Sequence, residues 1–418
     1  MAGFIALLRS GAFLTRERVR LVALAVLAAS LIGLIYLAAG AHGPNDSYGR
    51  PLGTDFASFY AAGTLVRDGL GPGAYDQAAH FAREQAIFGA ATQYYAFQYP
   101  PVFLLVAAAL AALPYVPALI VWQLATLFLY VLAMRAVLSM PPQDHAPDRL
   151  WLLLAVSFPA VFINLGHGQN GFLTVALFAG ALALLDRRPL VAGLLIGLMI
   201  YKPQFGLMIP LVLIATGRWR VIVAAAATVI ALLLVTFVAF GATVWPAFFA
   251  SMTFTRTVLL EQGDVGFFKM QSVFAWVRLW GGPVALAYAI QSIVTLAVAI
   301  ALVWFWRSSA RAPLKASALL IGTLLATPFC LDYDLMLLAS AIAFLALDGV
   351  RDGFCAWHKL VLAALWLVPL IARSVAETVS IPLGAPVMIL AFIFVLQRAM
   401  SPRSGLEGNG ALAEHGLK

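Results

Sequence analysis

The sequence is poor in charge. Only 11% of its 418 residues are Asp, Glu, Lys or Arg, while 63% are hydrophobic; a soluble domain runs near 25% charged and 45–50% apolar. That balance excludes a water-soluble globular enzyme and implies a polytopic membrane protein. No interval between apolar stretches exceeds about 60 residues, which leaves no room for a sizeable soluble domain. Cysteine is scarce as well. Cys330 and Cys355 are separated by a long apolar segment that places them on opposite sides of a membrane, so neither a disulfide nor a metal pattern is expected. No glycine-rich loop follows a strand, and no basic stripe is interleaved with aromatics. A nucleotide cofactor and a nucleic-acid partner therefore drop out.

The formal net charge of +8 is explained by where the basic residues stand. They cluster in short gaps: Arg9 to Arg20, Arg187 and Arg188, Arg218 and Arg220, Arg307 to Lys315, Arg351 and Lys359, Arg398 and Arg403. Clusters beside apolar spans mark cytoplasmic ends. Apolar segments fall near 21–40, 101–138, 150–166, 170–185, 189–202, 204–216, 221–241, 283–306, 314–329, 335–348, 360–372 and 381–397. In lipid each must be helical, because its backbone groups have no water to bond. The expectation is an all-α fold of about 12 transmembrane helices in one domain, residues 1–400, with both termini cytoplasmic and a disordered tail at 401–418. Residues 21–39 are long enough to remain as an anchor rather than be cleaved. Two stretches strain the map. Residues 102–138, divided by Pro114 and Pro117, suit one crossing plus a short piece, and residues 190–216, broken at Pro203, suit a thin hairpin.

This topology sends the unusual polar residues to one outer face. The loop 42–100 is expected to carry two interfacial amphipathic helices. In residues 55–68, Phe56, Phe59, Tyr60 and Gly63 recur at helical spacing; residues 76–88 end at Gly89, a natural stop. Asp55 opens the first helix. It can be a simple N-cap, which stabilises a helix by about 1 kcal/mol, or a general base at the water–lipid boundary.

Lys202, in "YKPQ", stands beside a proline break. Within a span an ammonium costs about 2.5–3.5 kcal/mol, so it either snorkels to the headgroups or anchors a phosphate with its three donors. In "GHGQN", His167, Gln169 and Asn170 suit a tight turn or contacts to sugar hydroxyls; a lone histidine there makes no metal site. Asp332, Tyr333 and Asp334 crowd another outer corner. Arg256 belongs to a mixed-charge outer loop whose default is a solvated surface.

The ordered succession "TDFASFYAAGTLVRDGLGPGAYD", "FQYPPVFLLVAAALAALP", the block from "GHGQN" to "YKPQFGLMIPL", and "TPFCLDYDLMLL" resembles glycosyltransferase family 87 across most of residues 50–340. The resemblance implies a C-type membrane fold and transfer of a hexose, notably mannose, from a polyprenyl-phosphate sugar to a glycolipid or glycan on the outer face of a bacterial plasma membrane. It places Asp55 at the catalytic centre and Lys202 near the donor phosphate, with Gln204 and Arg256. Tyr99, His167, Gln169, Asn170 and the Asp332–Tyr333–Asp334 cluster are left for sugar or acceptor. Relatives carry a histidine at that last corner; this chain does not. No cofactor or metal is demanded. Two rival readings are a transporter or flippase of a lipid-linked saccharide and a non-catalytic scaffold.

Overall fold

The computed structural model describes residues 2–140 and 149–400, and the tail expected at 401–418 lies outside them. Among the described residues every regular element is helical and no strand occurs. Six helices are long and apolar enough to cross a membrane: Arg16–Ala39, Tyr115–Leu138, Trp219–Phe240, Val284–Arg307, Asp332–Asp352 and His358–Val379. The pair Arg149–Val156 and Pro159–His167 adds a seventh if counted as one span; it bends by 44° where Pro159 interrupts the ladder. Shorter apolar helices, among them Gly171–Leu184, Pro189–Tyr201 and Pro203–Ala215, fill the remainder. The protein is an all-helical polytopic membrane protein.

Proline and capping residues set the boundaries. Val102–Leu110 ends ahead of Pro114, and the full-length Tyr115–Leu138 begins just after it. Gln77–Phe88 starts where the Asp76 carboxylate accepts the Ala79 N–H at 2.8 Å, and it stops at Gly89.

The break at Lys202–Pro203 is a hairpin, and glycines show why. A Cβ on Gly193 would press against the Val221 carbonyl and lie 2.6 Å from Ala224 Cβ; one on Gly197 would lie 2.5 Å from Thr228 Cβ. The contacts advance together along both helices, so Pro189–Leu198 and Trp219–Phe240 run parallel, backbone against backbone. The segment between them has to run back.

The helix Thr54–Arg67 departs from expectation. Its aromatic face does not rest on lipid: Phe56 and Phe59 are fully buried in the protein. The Phe59 ring lies 4.9 Å from Phe103 and 5.2 Å from Tyr99, and Phe56 lies 5.5 Å from Tyr115. Gly63, whose missing side chain makes room for the Ala107 carbonyl, lets the helix seat directly on Val102–Leu110. Periodicity reveals a buried face but not what buries it.

The polar residues divide between two ends. Arg218 pairs with Asp186 at 2.6 Å, Arg311 with Asp348 at 2.8 Å and Asp352 at 2.7 Å, and Arg398 with Asp348 at 3.2 Å; Arg351 bonds the Met140 carbonyl. Asp332 begins the same span that ends at this basic cluster, about 24 Å away at 1.5 Å per residue. We expect Gly197→Val to destabilise the protein by about 1–3 kcal/mol, the usual result of overpacking, read as a lowered unfolding temperature of the purified protein.

Candidate active site

Two left-handed glycines build the centre of the site. Gly53 (φ 67°) is the N-cap of Thr54–Arg67, and Gly168 (φ 65°) ends Pro159–His167. They nearly touch: a Cβ on Gly168 would lie 2.6 Å from Phe56 Cβ and 3.4 Å from Gly53 Cα. Trp122 Nε1 holds the Gly168 carbonyl at 3.0 Å, and the Tyr115 hydroxyl holds that of Leu52 at 2.5 Å. The start of the first loop is thereby fastened to the "GHGQN" corner. Turn formation and site formation here are one feature.

That junction aims Asp55. Its Oδ2 accepts from Gln169 Nε2 at 3.0 Å, and its Oδ1 lies 3.8 Å from His167 Nδ1, which is itself 2.8 Å from Thr54 Oγ1. Gln169 cannot turn round, because its Oε1 accepts both the Tyr99 hydroxyl at 3.2 Å and the Asn170 N–H at 2.8 Å. Asp55 is the second helical residue and makes no capping bond, so capping does not account for it. Its side chain is 27% exposed.

Lys202 does not snorkel. Its Nζ lies 2.7 Å from Asp334 Oδ1, with both side chains only 3% exposed. Asp334 Oδ2 accepts the Leu331 N–H at 3.0 Å, so one carboxylate both closes a turn and faces the ammonium. The ammonium also lies over the rings of Tyr333, 5.2 Å to the centroid, and Phe205, 5.3 Å. Asp332 accepts the Tyr333 N–H at 2.9 Å and faces Arg373 Nη1 at 3.7 Å. Arg256 is 66% exposed and 3.6 Å from Glu261, on the π-helical stretch Thr255–Glu261.

A cavity of about 850 Å³ joins these groups. Asp55, Tyr99, His167, Gln169, Lys202 and Gln204 line it, together with Arg256, Asp332, Tyr333 and Asp334. Asn170 is fully buried and lies outside the cavity wall. The wall also carries Lys269, from the mixed-charge loop expected to be a solvated surface, and Arg373, Arg50 and part of residues 93–98, to which the sequence reading assigned no site role. For Arg373 a signal existed: it follows the apolar segment 360–372 on the side that the charge pattern otherwise leaves free of arginine clusters. Among the described residues no group of three or more His, Cys, Asp or Glu side chains is arranged to hold a metal ion.

The family model of glycosyltransferase family 87 matches residues 97–328, more than half of the chain. The chain belongs to glycosyltransferase family 87. No curated protein and no solved structure matches it. The matched stretch carries Tyr99, His167, Gln169, Lys202, Gln204 and Arg256; Asp55 and the Asp332–Asp334 cluster fall outside it and reach the cavity through the fold. Membership makes this membrane protein a glycosyltransferase acting on sugar substrates and sets aside the transporter and scaffold readings.

Removing one partner of the buried pair is expected to cost about 3–5 kcal/mol. Lys202→Met alone should lower the unfolding temperature sharply, and Lys202→Met with Asp334→Leu should recover most of the loss. Thermal unfolding of the three proteins in the same detergent reads this directly.

Proposed function

We propose that this glycosyltransferase moves a hexose, mannose by its family resemblance, from a polyprenyl-phosphate donor to a glycan or glycolipid, with inversion and with Asp55 as general base. The observation that carries the reading is that Asp55 and the Lys202 ammonium line one cavity at the end of the helices remote from the basic cluster. By the positive-inside rule that basic end is cytoplasmic, so the cavity opens toward the periplasmic or extracellular face. On this reading the short apolar helices complete a C-type fold of about twelve crossings.

The step balances within the cavity. The acceptor hydroxyl gives its proton to Asp55 as its oxygen bonds to the anomeric carbon. The bond from that carbon to the phosphate oxygen breaks, and the electron pair leaves with polyprenyl phosphate. A phosphate is a good leaving group, so one carboxylate suffices and a single displacement inverts the centre. Lys202 keeps one N–H on Asp334 at 2.7 Å and offers its other N–H donors to the charge growing on the phosphate, with Gln204 and Arg256 on the same cavity wall. Gln169 and His167 orient the base, while Tyr99, Tyr333 and Asp332 line the sugar side. Holding both substrates in line supplies much of the rate. The step as written does not require a metal.

Asp55→Asn keeps an oxygen to accept the Gln169 N–H but cannot take a proton. Transfer from a synthetic polyprenyl-phosphate hexose should fall by about 10²–10⁴-fold with the unfolding temperature unchanged. Retained transfer by a folded Asp55→Asn protein would remove Asp55 from the mechanism.

A further inference from the structure

One stretch of the cavity wall has no task in the mechanism above. Residues 93–98 run without helix or strand, and Gln93, Tyr94, Tyr95 and Gln98 all line the cavity. The stretch is pinned from outside. The Glu84 carboxylate accepts the Tyr95 N–H at 3.1 Å, and the Tyr75 hydroxyl donates to the Tyr99 carbonyl at 2.9 Å. Glu84 is itself fully buried, 3.4 Å from the His80 imidazole.

Although the backbone is anchored, four polar tips are not. The amides of Gln93 and Gln98 and the hydroxyls of Tyr94 and Tyr95 hydrogen-bond to no described residue. Their neighbours differ: the hydroxyls of Tyr60, Tyr75, Tyr99 and Tyr115 each donate to an acceptor in the protein. The four free tips are uncharged, which suits neither a phosphate nor a cation. Amides that both donate and accept, set among aromatic rings, match a sugar ring, with its apolar C–H face and its rim of hydroxyls.

The placement relative to Asp55 is also right. Tyr95 and Asp55 line the same cavity, and burial first, then the Asp55 charge, push the Tyr95 phenol up. On its other side Asp55 leads through His167, whose ring is 6.3 Å from that of Tyr333, to Lys202. Asp55 thus shares one cavity with the uncharged tips of residues 93–98 and with the Lys202 ammonium.

We propose that residues 93–98 form an acceptor subsite for a saccharide unit, so that the hydroxyl offered to Asp55 belongs to a sugar ring and not to a simple lipid alcohol. The inference rests on the transferase reading above and assigns its acceptor class. The test uses full-length protein in nanodiscs prepared without sugar detergents, with an octyl hexopyranoside as probe, octanol as control and empty nanodiscs as blank. Saturation-transfer NMR should show the hexoside ring protons in contact with the wild-type protein. Gln93→Ala with Gln98→Ala, and separately Tyr95→Phe, should weaken that binding by about tenfold, the scale of one or two hydrogen bonds. The hexoside, and not octanol, should accept sugar from the polyprenyl-phosphate donor. Unchanged hexoside binding in both variants, or equal transfer to octanol, overturns the subsite. Asp55→Asn should still bind the hexoside. Wild-type protein that binds the hexoside through these residues yet transfers nothing supports the subsite while sinking the mechanism proposed for Asp55.

Discussion

The ion pair between Lys202 and Asp334 joins residues far apart in sequence, 2.7 Å from each other and almost wholly buried at the cavity wall. Neither charge is tolerable there alone, because an unpaired ion in a low-dielectric interior costs several kcal/mol. Lys202 sits at the proline break of a hairpin, and Asp334 sits in the first turn of a long span. Joining them ties the hairpin tip to the corner that holds Tyr333 and Asp332. One wall of the cavity exists because this pair does. A more open carboxylate stands at Asp55, which is held by an amide and faced by an imidazole.

Much of the fold was legible because it follows from local chemistry. Pro114 and Pro203 break helices for steric reasons that any neighbourhood would enforce, and Asp76 and Gly89 bound their helix by capping rules. The grouping of Asp55, Gln169 and Lys202 on one side followed from alternating spans and basic gaps. What the sequence hid were pairings between distant segments. Nothing near Lys202 points to Asp334, and nothing near Arg373 points to Asp332. Asp55 looked like a cap because aspartate caps helices well. Only the left-handed Gly53 ahead of it shows that the cap position was already taken. The aromatic face of the same helix read correctly as apolar, yet period alone cannot separate lipid from a cluster of protein rings.

Three of the cations on the cavity wall share a pattern. Lys202 faces Asp334, Arg373 faces Asp332, and Arg256, at the exposed rim, faces Glu261. Positive charge near the cavity is therefore carried with a local counter-charge, which lowers the cost of holding it at membrane depth. Several of the acids concerned also accept backbone or hydroxyl donors: Asp334 from Leu331, Asp332 from Tyr333, and Glu261 from Tyr288. Asp334 and Asp332 each hold local backbone as well as the cation opposite, and Glu261 holds a neighbouring helix through Tyr288.

The returning leg of the hairpin, Pro203–Ala215, spans only about 20 Å at 1.5 Å per residue, whereas a bilayer's oily interior is about 30 Å thick. Leu207 and Ile214 on this leg are exposed, as side chains meeting acyl tails should be. A short leg of this kind is matched to a bilayer by local thinning, by snorkelling of its flanks or by packing against other helices. On the donor reading proposed above, a bilayer thinned along this flank would leave a long-chain lipid less far to rise before its headgroup met Gln204 at the tip of the hairpin.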